Sequence, residues 1–509
     1  MYIRCKLEHP KSKIDTKGKQ EGFENKVEDC ETAFLEFDLD LLFKAFSIPP
    51  SRIINLINDI EMRRGRSSLM AAPSLDDTGG IPKEMPANGH DIYNYVARFG
   101  SANFQIQAVM ELDGRLDPGK LKKAVRLSMD AEPVFGCRFV EGQPPYWKRR
   151  ENLGSIKFCT VVKSKNPDKS IQDFLESPLD MDYDPMVKLK LIQSDAGDIL
   201  CLKVNHACCD GTGTKEYLQL LSDIYNCLDQ GDTYVPIPRK RTRKDQDRLF
   251  YELGIKDPES AWDPKLEKPK MTWQFPWRQG PQGRNRSVVC QLPKGEIIRI
   301  GQYGKYRGAT INDLIVTAFY RVMFEMSKPQ PEVPMNISMT VDLRRYLPDK
   351  KTEAIRCFSG AEDIWLERIA NESFEGTLSR VIPGMNKIKR SQPGLQSAVG
   401  LERVEKADFS GTLSYYQDPR KKVYTDQSEP VLSNLGFLNK SCFRFGKILV
   451  TDAYIVPPVV SAPGLLLCAG TYNDILTMSI SYYDNQIDGG VIKKLLQLIK
   501  KELMEGCTL

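Results

Sequence analysis

Histidine is scarce in this 509-residue sequence, which contains only His9, His90 and His206. The nucleophile elbow G-x-S-x-G, the phosphate-binding loop G-x-x-x-x-G-K-[ST] and the zinc-binding pattern H-E-x-x-H are absent. The sequence therefore lacks the usual signatures of elbow-type serine hydrolases, P-loop nucleotide hydrolases and zinc peptidases. The thirteen cysteines include no C-x-x-C pair, which argues against a zinc site and a disulfide framework. We expect reduced, mostly buried cysteines and no bound metal.

Long apolar runs and a large charge excess are also missing. Residues 1–20 are polar and lack the apolar stretch of a signal peptide. The longest apolar passage, residues 455–468, contains prolines and is shorter than the ~20 residues of a membrane-spanning helix. The 72 Lys and Arg residues exceed the 67 Asp and Glu residues by a net charge of only +5, which is too little for a dedicated nucleic-acid binder. We therefore expect a cytoplasmic protein with no integral membrane segment and no nucleic-acid partner.

The sequence divides into an N-terminal appendage and a larger α/β region. Residues 1–85 contain two helical patterns and a loop rich in Gly, Pro, Ser and Asp, which predicts a helical appendage followed by a linker. A partner-docking helix pair and a wrongly assigned start codon are both open interpretations of this segment. Further along, residues 106–112 alternate as in a half-buried strand, and Asp117 and Pro118 are typical of a helix start. Apolar residues at helical spacing predict a helix over 310–326.

A basic run occupies residues 239–248, which hold six Lys and Arg residues and two Asp residues. It overlaps a charged and proline-rich crossover at 241–287. One interpretation is a solvated linker, which is the usual fate of a charge run. The other is a contact for a phosphate-bearing donor or an acidic carrier protein, since Arg and Lys suit phosphate.

His206 is the one histidine well inside the α/β region. It follows a strand-like run at 199–204 and precedes a helical pattern at 212–225, so it lies where a strand ends. A histidine with a near-neutral pKa is suited to taking a proton from a hydroxyl, amine or thiol. The alternative is that His206 is a buried, hydrogen-bonded residue and that Asp210 only caps the following helix.

The string H-A-C-C-D-G at 206–211 resembles the H-x-x-x-D-G motif of the thioester-dependent acyltransferase superfamily. That superfamily includes chloramphenicol acetyltransferase, the condensation domains of nonribosomal peptide synthetases and alcohol acetyltransferases. Two further segments agree in order: V-D-L-R at 341–344 resembles the V-D-L-R strand of the second lobe, and S-N-L-G at 433–436 resembles its S-N-x-G segment. The resemblance covers residues 86–509.

The resemblance implies an α/β fold of two chloramphenicol-acetyltransferase-like lobes, each a mixed sheet with helices, and an active-site tunnel between them. It divides the chain into a first lobe at 86–240, the crossover at 241–287 and a second lobe at 288–509. The implied catalytic residues are His206, Asp210 and Gly211. The implied supporting residues are Asn205, Arg344, Ser433 and Asn434.

Specific roles follow from the same resemblance. His206 deprotonates or positions the acceptor, and the Gly211 backbone permits close approach of the acyl carbonyl. Asp210 holds the loop by pairing with Arg344, and we predict a contact within ~4 Å. Strand alternation along 341–345 puts only one of Arg344 and Arg345 on a given face, and the family pattern selects Arg344.

The implied activity is transfer of an acyl group from a thioester donor to a small-molecule alcohol or amine. The thioester is a co-substrate, carried by coenzyme A or by an acyl carrier protein, and neither a bound cofactor nor a metal is implied. Asn205 stands where peptide-forming condensation domains have a first histidine, which favours an alcohol or amine acetyltransferase. Two alternatives remain: a free-standing condensation domain that joins carrier-bound substrates, and a catalytically silent binding member.

Overall fold

The computed structural model describes residues 80–99, 102–263, 273–417, 429–438, 440 and 443–508. The two helices predicted for the appendage lie outside these residues. Within the described residues, helices and strands build two six-stranded sheets and one three-stranded sheet. The predicted α/β class is therefore confirmed. None of the helices in this part of the chain combines the length and the apolar character needed to cross a membrane.

In chain order, the strands are β1 (Glu84–Pro86), β2 (Gln105–Leu112), β3 (Cys137–Val140), β4 (Tyr146–Arg149), β5 (Cys159–Lys163), β6 (Val187–Gln193), β7 (Asp198–Asn205), β8 (Asn285–Gln291), β9 (Met335–Asp342), β10 (Ser359–Leu366), β11 (Pro430–Phe437), β12 (Arg444–Phe445), β13 (Ile448–Val456), β14 (Leu465–Tyr472) and β15 (Ile475–Tyr483). The α-helices are α1 (Gly89–Val96), α2 (Pro118–Ala131), α3 (Pro167–Glu176), α4 (Gly211–Asp229), α5 (Lys244–Glu252), α6 (Glu296–Arg307), α7 (Ile311–Ser327), α8 (Phe374–Arg390), α9 (Leu395–Lys406), α10 (Phe409–Gln417) and α11 (Gly489–Gly506).

The sheet of the first lobe has the strand order β12-β13-β2-β7-β6-β5. β2 is buried on both faces rather than half-buried as its alternation predicts, and only Glu111 is exposed. The reason is that Ala108 packs in the core formed with α2 and α4, while Val109 on the opposite face packs with Ile171 and Phe174 of α3. The pattern at 106–112 therefore belongs to a central strand.

One part of the C-terminal half completes this first sheet. β13 pairs antiparallel with β2, with Ala453 opposite Met110 and Ile455 opposite Ala108. The predicted boundary at residue 288 thus does not separate the two sheets, because residues 444–456 cross back to the first lobe. This pairing of β13 with β2 fixes the C-terminal half of the chain to the first lobe.

The sheet of the second lobe has the strand order β10-β9-β11-β14-β15-β8. β11 runs parallel to both of its neighbours, β9 and β14. The helix expected over 310–326 is α7, which begins with a capping box formed by Thr310 and Asp313. Its apolar face is buried with α8 and α11 against this sheet. The core of the second lobe leaves the other face of β9 and β11 directed at the first lobe.

The start of the first lobe lies slightly earlier than the boundary at residue 86. β1 pairs antiparallel with β4, and Met85 lies opposite Trp147. The Met85 side chain is only 3% exposed, and the Arg149 N–H donates to the Lys83 carbonyl at 2.8 Å. Residues 83–86 are therefore part of the folded lobe rather than of the linker.

Shortening the chain tests this boundary. A chain that begins at Gly80 is expected to fold and to keep its activity, whereas one that begins at Ala87 loses β1 and the buried Met85. We expect the shorter chain to lose about 2 kcal/mol or more of unfolding free energy, as large core deletions do. Urea denaturation of the two shortened chains beside the full chain measures this difference. Equal midpoints for the two would show that β1 contributes nothing to the lobe.

Candidate active site

A cavity of about 500 Å³ lies between the two sheets and is lined by residues of both lobes. The lining residues that bear on its chemistry are His90, Tyr93, Phe104, His206, Gly211, Ser338, Thr340, Cys357, Ser359, Asp363, Glu429, Ser433 and Leu435. Three sequence motifs contribute to this wall or support it from behind. They lie far apart in the sequence, and the fold brings them to one cavity.

His206 lies directly after the last residue of β7 and lines the cavity. Its backbone N–H donates to the Phe104 carbonyl at 2.6 Å, which ties the end of β7 to the start of β2. The Asn205 side chain accepts from the Ala207 N–H at 2.9 Å and turns the chain away from the strand. Asn205 therefore shapes the loop that presents the histidine.

The environment of His206 favours a neutral imidazole. Burial lowers its pKa, and a hydrogen bond to its own backbone carbonyl together with the Asp210 charge opposes that shift. A neutral imidazole has one protonated ring nitrogen and one with a free lone pair. The Cys357 Sγ lies 3.9 Å from Nδ1. The neutral ring is the form that a general base needs.

Asp210 is bound from two sides and faces away from open solvent, with 5% exposed. Its Oδ1 accepts from the Gly213 N–H at 2.7 Å, which caps α4. Its Oδ2 accepts from Arg344 Nη1 at 2.9 Å and from the Phe358 N–H at 2.8 Å. Burial alone would raise the pKa of Asp210, but Arg344 and the two backbone donors hold it below its ordinary value. Asp210 therefore caps α4 and also pairs with Arg344 as predicted, so the alternative that it only caps the helix is wrong.

Arg344 makes the predicted contact, but for a different reason than strand alternation. β9 ends at Asp342, and residues 343–346 form a 3-10 helix whose first turn is capped by Asp342. The turn directs the guanidinium inward, where it is 1% exposed and also donates to the Arg356 carbonyl at 2.8 Å. Thr212 donates to Asp342 at 2.9 Å, so the two motifs meet in a second place.

Gly211 and Leu435 are in close contact across the lobes. A Cβ at Gly211 would lie 2.5 Å from a methyl carbon of the Leu435 side chain, closer than packing permits. Lys215 on α4 donates to the Leu435 carbonyl at 3.0 Å. A larger residue at 211 would require the Leu435 side chain to rotate away, so the glycine permits the present close approach of the S-N-x-G segment.

Ser433 and Asn434 occupy different environments. Ser433 lines the cavity, and its hydroxyl is 3.2 Å from Thr340 Oγ1, which donates to it. Asn434 donates to the Asn312 side chain of α7 at 3.1 Å and accepts from the Gly436 N–H at 3.0 Å. Asn434 thus fixes the strand end, whereas Ser433 faces the cavity.

Cys208 and Cys209, inside the motif, are fully buried. Burial raises the pKa of both thiols, that of Cys209 to about 12. A thiol that stays protonated at neutral pH is a poor nucleophile. Both cysteines therefore act as packing residues in the core of the first lobe.

Arg241 supports the motif loop and was missed by sequence reasoning. Its guanidinium is 2% exposed and donates to the carbonyls of Cys208 and Ile355. Asp91 balances its charge at 3.1 Å. This part of the basic run is neither a solvated linker nor a phosphate contact, because the Arg241 guanidinium is buried and paired with Asp91. No local signal marks Arg241, since its partner lies 150 residues away in the chain.

His90 is a second cavity histidine that sequence reasoning set aside because of its place near the linker. It is 5% exposed, and its Nε2 lies 3.0 Å from the Ser359 carbonyl. Burial lowers the pKa of His90 to about 4, while that hydrogen bond and Asp91 oppose the shift. The short contact and the low pKa correspond to a neutral imidazole whose Nε2–H donates to the Ser359 carbonyl.

The low pKa of His90 predicts a loss of stability on acidification. A folded pKa below the ordinary 6.5 means that the unfolded chain binds the proton first. The contribution of His90 is present above pH 6.5 and is lost as the pH falls towards about 4, with a total of about 3 kcal/mol. Urea unfolding at several pH values in this window should show a smaller slope for His90→Gln than for the wild type. An unchanged slope would contradict the assigned burial.

In the described part of the chain, no three His, Cys, Asp or Glu side chains converge in a way that would hold a metal ion.

About half of the chain, residues 97–349, matches the family model of the condensation domain. Nonribosomal peptide synthetase nlsA of Emericella nidulans is 30% identical over 139 residues, which are 26% of this chain and 2% of that protein. A plipastatin synthase component of Bacillus subtilis is 22% identical over 130 residues, which are 25% of this chain and 4% of that protein. The chain thus matches only a small fraction of the length of these curated relatives.

Solved structures share the two-lobe fold. The epimerization domain from the third module of tyrocidine synthetase B is 16% identical with a TM-score of 0.60, covering 85% of this chain and 99% of that one. The TRI3 trichothecene 15-O-acetyltransferase of Fusarium sporotrichioides is 15% identical with a TM-score of 0.62, covering 84% of this chain and 96% of that one. At these identities the likeness establishes the fold alone. Together with the condensation-domain match and the motifs gathered at one cavity, it shows that the chain belongs to the thioester-dependent acyltransferase superfamily of condensation domains and chloramphenicol-acetyltransferase-like enzymes.

Proposed function

We propose that the protein transfers an acyl group from a thioester, carried by coenzyme A or by an acyl carrier protein, to an alcohol or amine. The observation that supports this most is the position of His206 on the wall of the interlobe cavity, where burial lowers its pKa and favours the neutral, proton-accepting imidazole. Acyl transfer or condensation is the chemistry of the superfamily. The proposal adds the donor class, the acceptor class and the role of the histidine.

The proposed reaction uses His206 twice. Nε2 takes the proton of the acceptor hydroxyl or amine while the acceptor oxygen or nitrogen attacks the thioester carbonyl. The tetrahedral intermediate collapses, the carbon–sulfur bond breaks, and the protonated His206 returns its proton to the departing sulfur. The products are an ester or amide and a free thiol. Asp210 contributes by holding the loop through Arg344 rather than by touching His206.

A second candidate function is condensation of two carrier-bound substrates, and the family match at 97–349 favours it equally. The two functions share the base and differ in what delivers the substrates. Coenzyme A thioesters and small free acceptors suit the first, whereas the second needs both partners on carrier proteins.

The deciding experiment is a thiol-release assay of the purified full chain. Acetyl-CoA and longer acyl-CoA donors are offered with a panel of alcohols and amines, and the same acyl groups are then offered on a carrier protein. Release of thiol with an acyl-CoA and a free acceptor supports the proposal. Product only from two carrier-bound substrates supports condensation, and no product in either arm supports a silent binding member.

A further inference from the structure

We propose that the cavity contains a subsite for a positively charged ammonium group of the acceptor, formed by Ser338 and Glu429. This inference rests on the acyl transfer proposed above, because it names the class of acceptor. The acceptor class is an amino alcohol or a diamine. The group to be acylated faces His206, and the ammonium group occupies the subsite.

The register of the second sheet places these residues on one surface. Ser338 of β9 lies directly opposite Asp363 of β10, and on its other side it lies next to Val431 of β11. Directly paired residues point to the same face of a sheet, and neighbouring strands are ~4.8 Å apart. Glu429 comes two residues before Val431, and Ser338, Asp363 and Glu429 all line the cavity. One small cation can therefore contact both Ser338 and Glu429.

Ser338 supplies an independent sign of a ligand. Its side chain is 5% exposed and borders the cavity, yet its hydroxyl forms no hydrogen bond within the described residues. Buried hydroxyl groups nearly always have a partner. A donor group on a substrate would satisfy this oxygen.

The charge of the cavity wall favours a cation. Glu429 contributes a carboxylate to this wall, and the lining residues that the structure describes include neither lysine nor arginine. A carboxylate on a concave wall of low-dielectric protein attracts a cation more strongly than one on an open surface. It also disfavours an acceptor that carries a carboxylate or a phosphate.

An aromatic wall connects the subsite to the base. Tyr93 and Glu429 both line the cavity. Burial raises the pKa of Tyr93, and the Glu429 charge adds to that shift. The Tyr93 ring packs edge-on against Phe104 with centroids 6.3 Å apart, and Phe104 packs against His206 at 5.6 Å. Aromatic faces beside carboxylates are favourable for ammonium groups.

The strand geometry sets the spacing. Asp342, at the end of β9, contacts Thr212 next to the motif glycine. Ser338 lies four residues earlier on the same strand, or roughly 13 Å away. The ammonium group and the acylated group of the acceptor are therefore separated by a chain rather than borne on adjacent atoms.

The test measures binding and turnover separately with three acceptors of equal chain length: 8-amino-1-octanol, 1-octanol and 8-hydroxyoctanoate. We expect calorimetric titration of the wild type to show that the amino alcohol binds at least about 10-fold more tightly than 1-octanol, as a charged hydrogen bond commonly provides. The hydroxy acid should bind most weakly. Equal affinity for the three ligands in the wild type would overturn the proposal without recourse to any variant.

Variants then assign the effect to residues. Glu429→Gln should reduce the preference for the amino alcohol by about 10-fold, and Ser338→Ala should reduce it by a smaller factor. Glu375→Gln, at an exposed carboxylate paired with Arg307 on α6, is the matched control and should keep the full preference. A Glu429→Gln protein that melts at the wild-type temperature and keeps the preference would contradict the assignment.

Comparing the two readouts separates this proposal from the proposed function. Ammonium-selective binding without thiol release from any donor would leave the subsite standing and remove the acyl-transfer function. Thiol release with equal KM values for the three acceptors would support acyl transfer and would remove the ammonium subsite.

Discussion

Replacement of His206 by alanine is expected to lower acyl transfer by about 10²–10⁴-fold, which is the usual contribution of a positioned general base. The fold should persist, because the bond that ties this loop to β2 comes from the His206 backbone N–H rather than from its side chain. The side chain borders an existing cavity, so its removal leaves no new enclosed void. Thiol release with an acceptor that the wild type uses well measures the change.

A matched control distinguishes catalysis from damage to the cavity. His90→Gln changes the other cavity histidine, whose Nε2 is already engaged by the Ser359 carbonyl, and should keep most of the turnover at pH 7. The wild-type rate should rise with pH through the pKa of His206, which burial places below 6.5, and His206→Ala should lack that rise. Near-normal turnover by a folded His206→Ala protein would remove the base from the mechanism.

Local patterns in the sequence predicted the elements that carry the site. The strand before His206 and the helix after it follow from residue spacing alone, and they appear as β7 and α4. The helix at 310–326 was also predictable, because its apolar period and its capping box agree with each other. These features depend on neighbours within a few residues.

Features that depend on distant neighbours were not predictable. Arg241 and Asp91 are separated by 150 residues and have no distinguishing pattern around them, so the arginine looked like part of a solvated charge run. The return of β13 to the first sheet likewise follows from pairing with β2, which no local period encodes. The inward orientation of Arg344 was predicted correctly but for the wrong reason, because residues 343–346 form a 3-10 helix instead of the expected strand.

The largest expected effect on stability comes from Asp210. Asp210→Ala leaves the Arg344 guanidinium, 1% exposed, without its closest carboxylate at 2.9 Å. Removing one partner of a buried pair costs about 3–5 kcal/mol when the remaining charge is left uncompensated. Arg344 keeps Asp342 at 3.2 Å and Glu216 at 3.6 Å, so we expect a loss near the lower end of that range, about 3 kcal/mol. Urea unfolding measures this loss. Asp173→Ala is the matched control, because it breaks an exposed i,i+4 pair with Lys169 and should cost no more than about 0.5 kcal/mol.

A second substitution at Asp210 separates the ion pair from the helix cap. Asparagine caps helices about as well as aspartate, so Asp210→Asn keeps the bond to the Gly213 N–H but not the charge that faces Arg344. If the pair dominates, the asparagine variant stays nearly as unstable as the alanine variant; recovery of all but about 1 kcal/mol would show that the cap is the main contribution.

The pH dependence of stability tests the ion pair independently. The pKa of Asp210 lies below its ordinary value, so the stability that the pair provides is complete above about pH 4 and is lost only as the pH falls below that. A wild-type protein that already loses this contribution near pH 6 would contradict an ionised Asp210 beside Arg344.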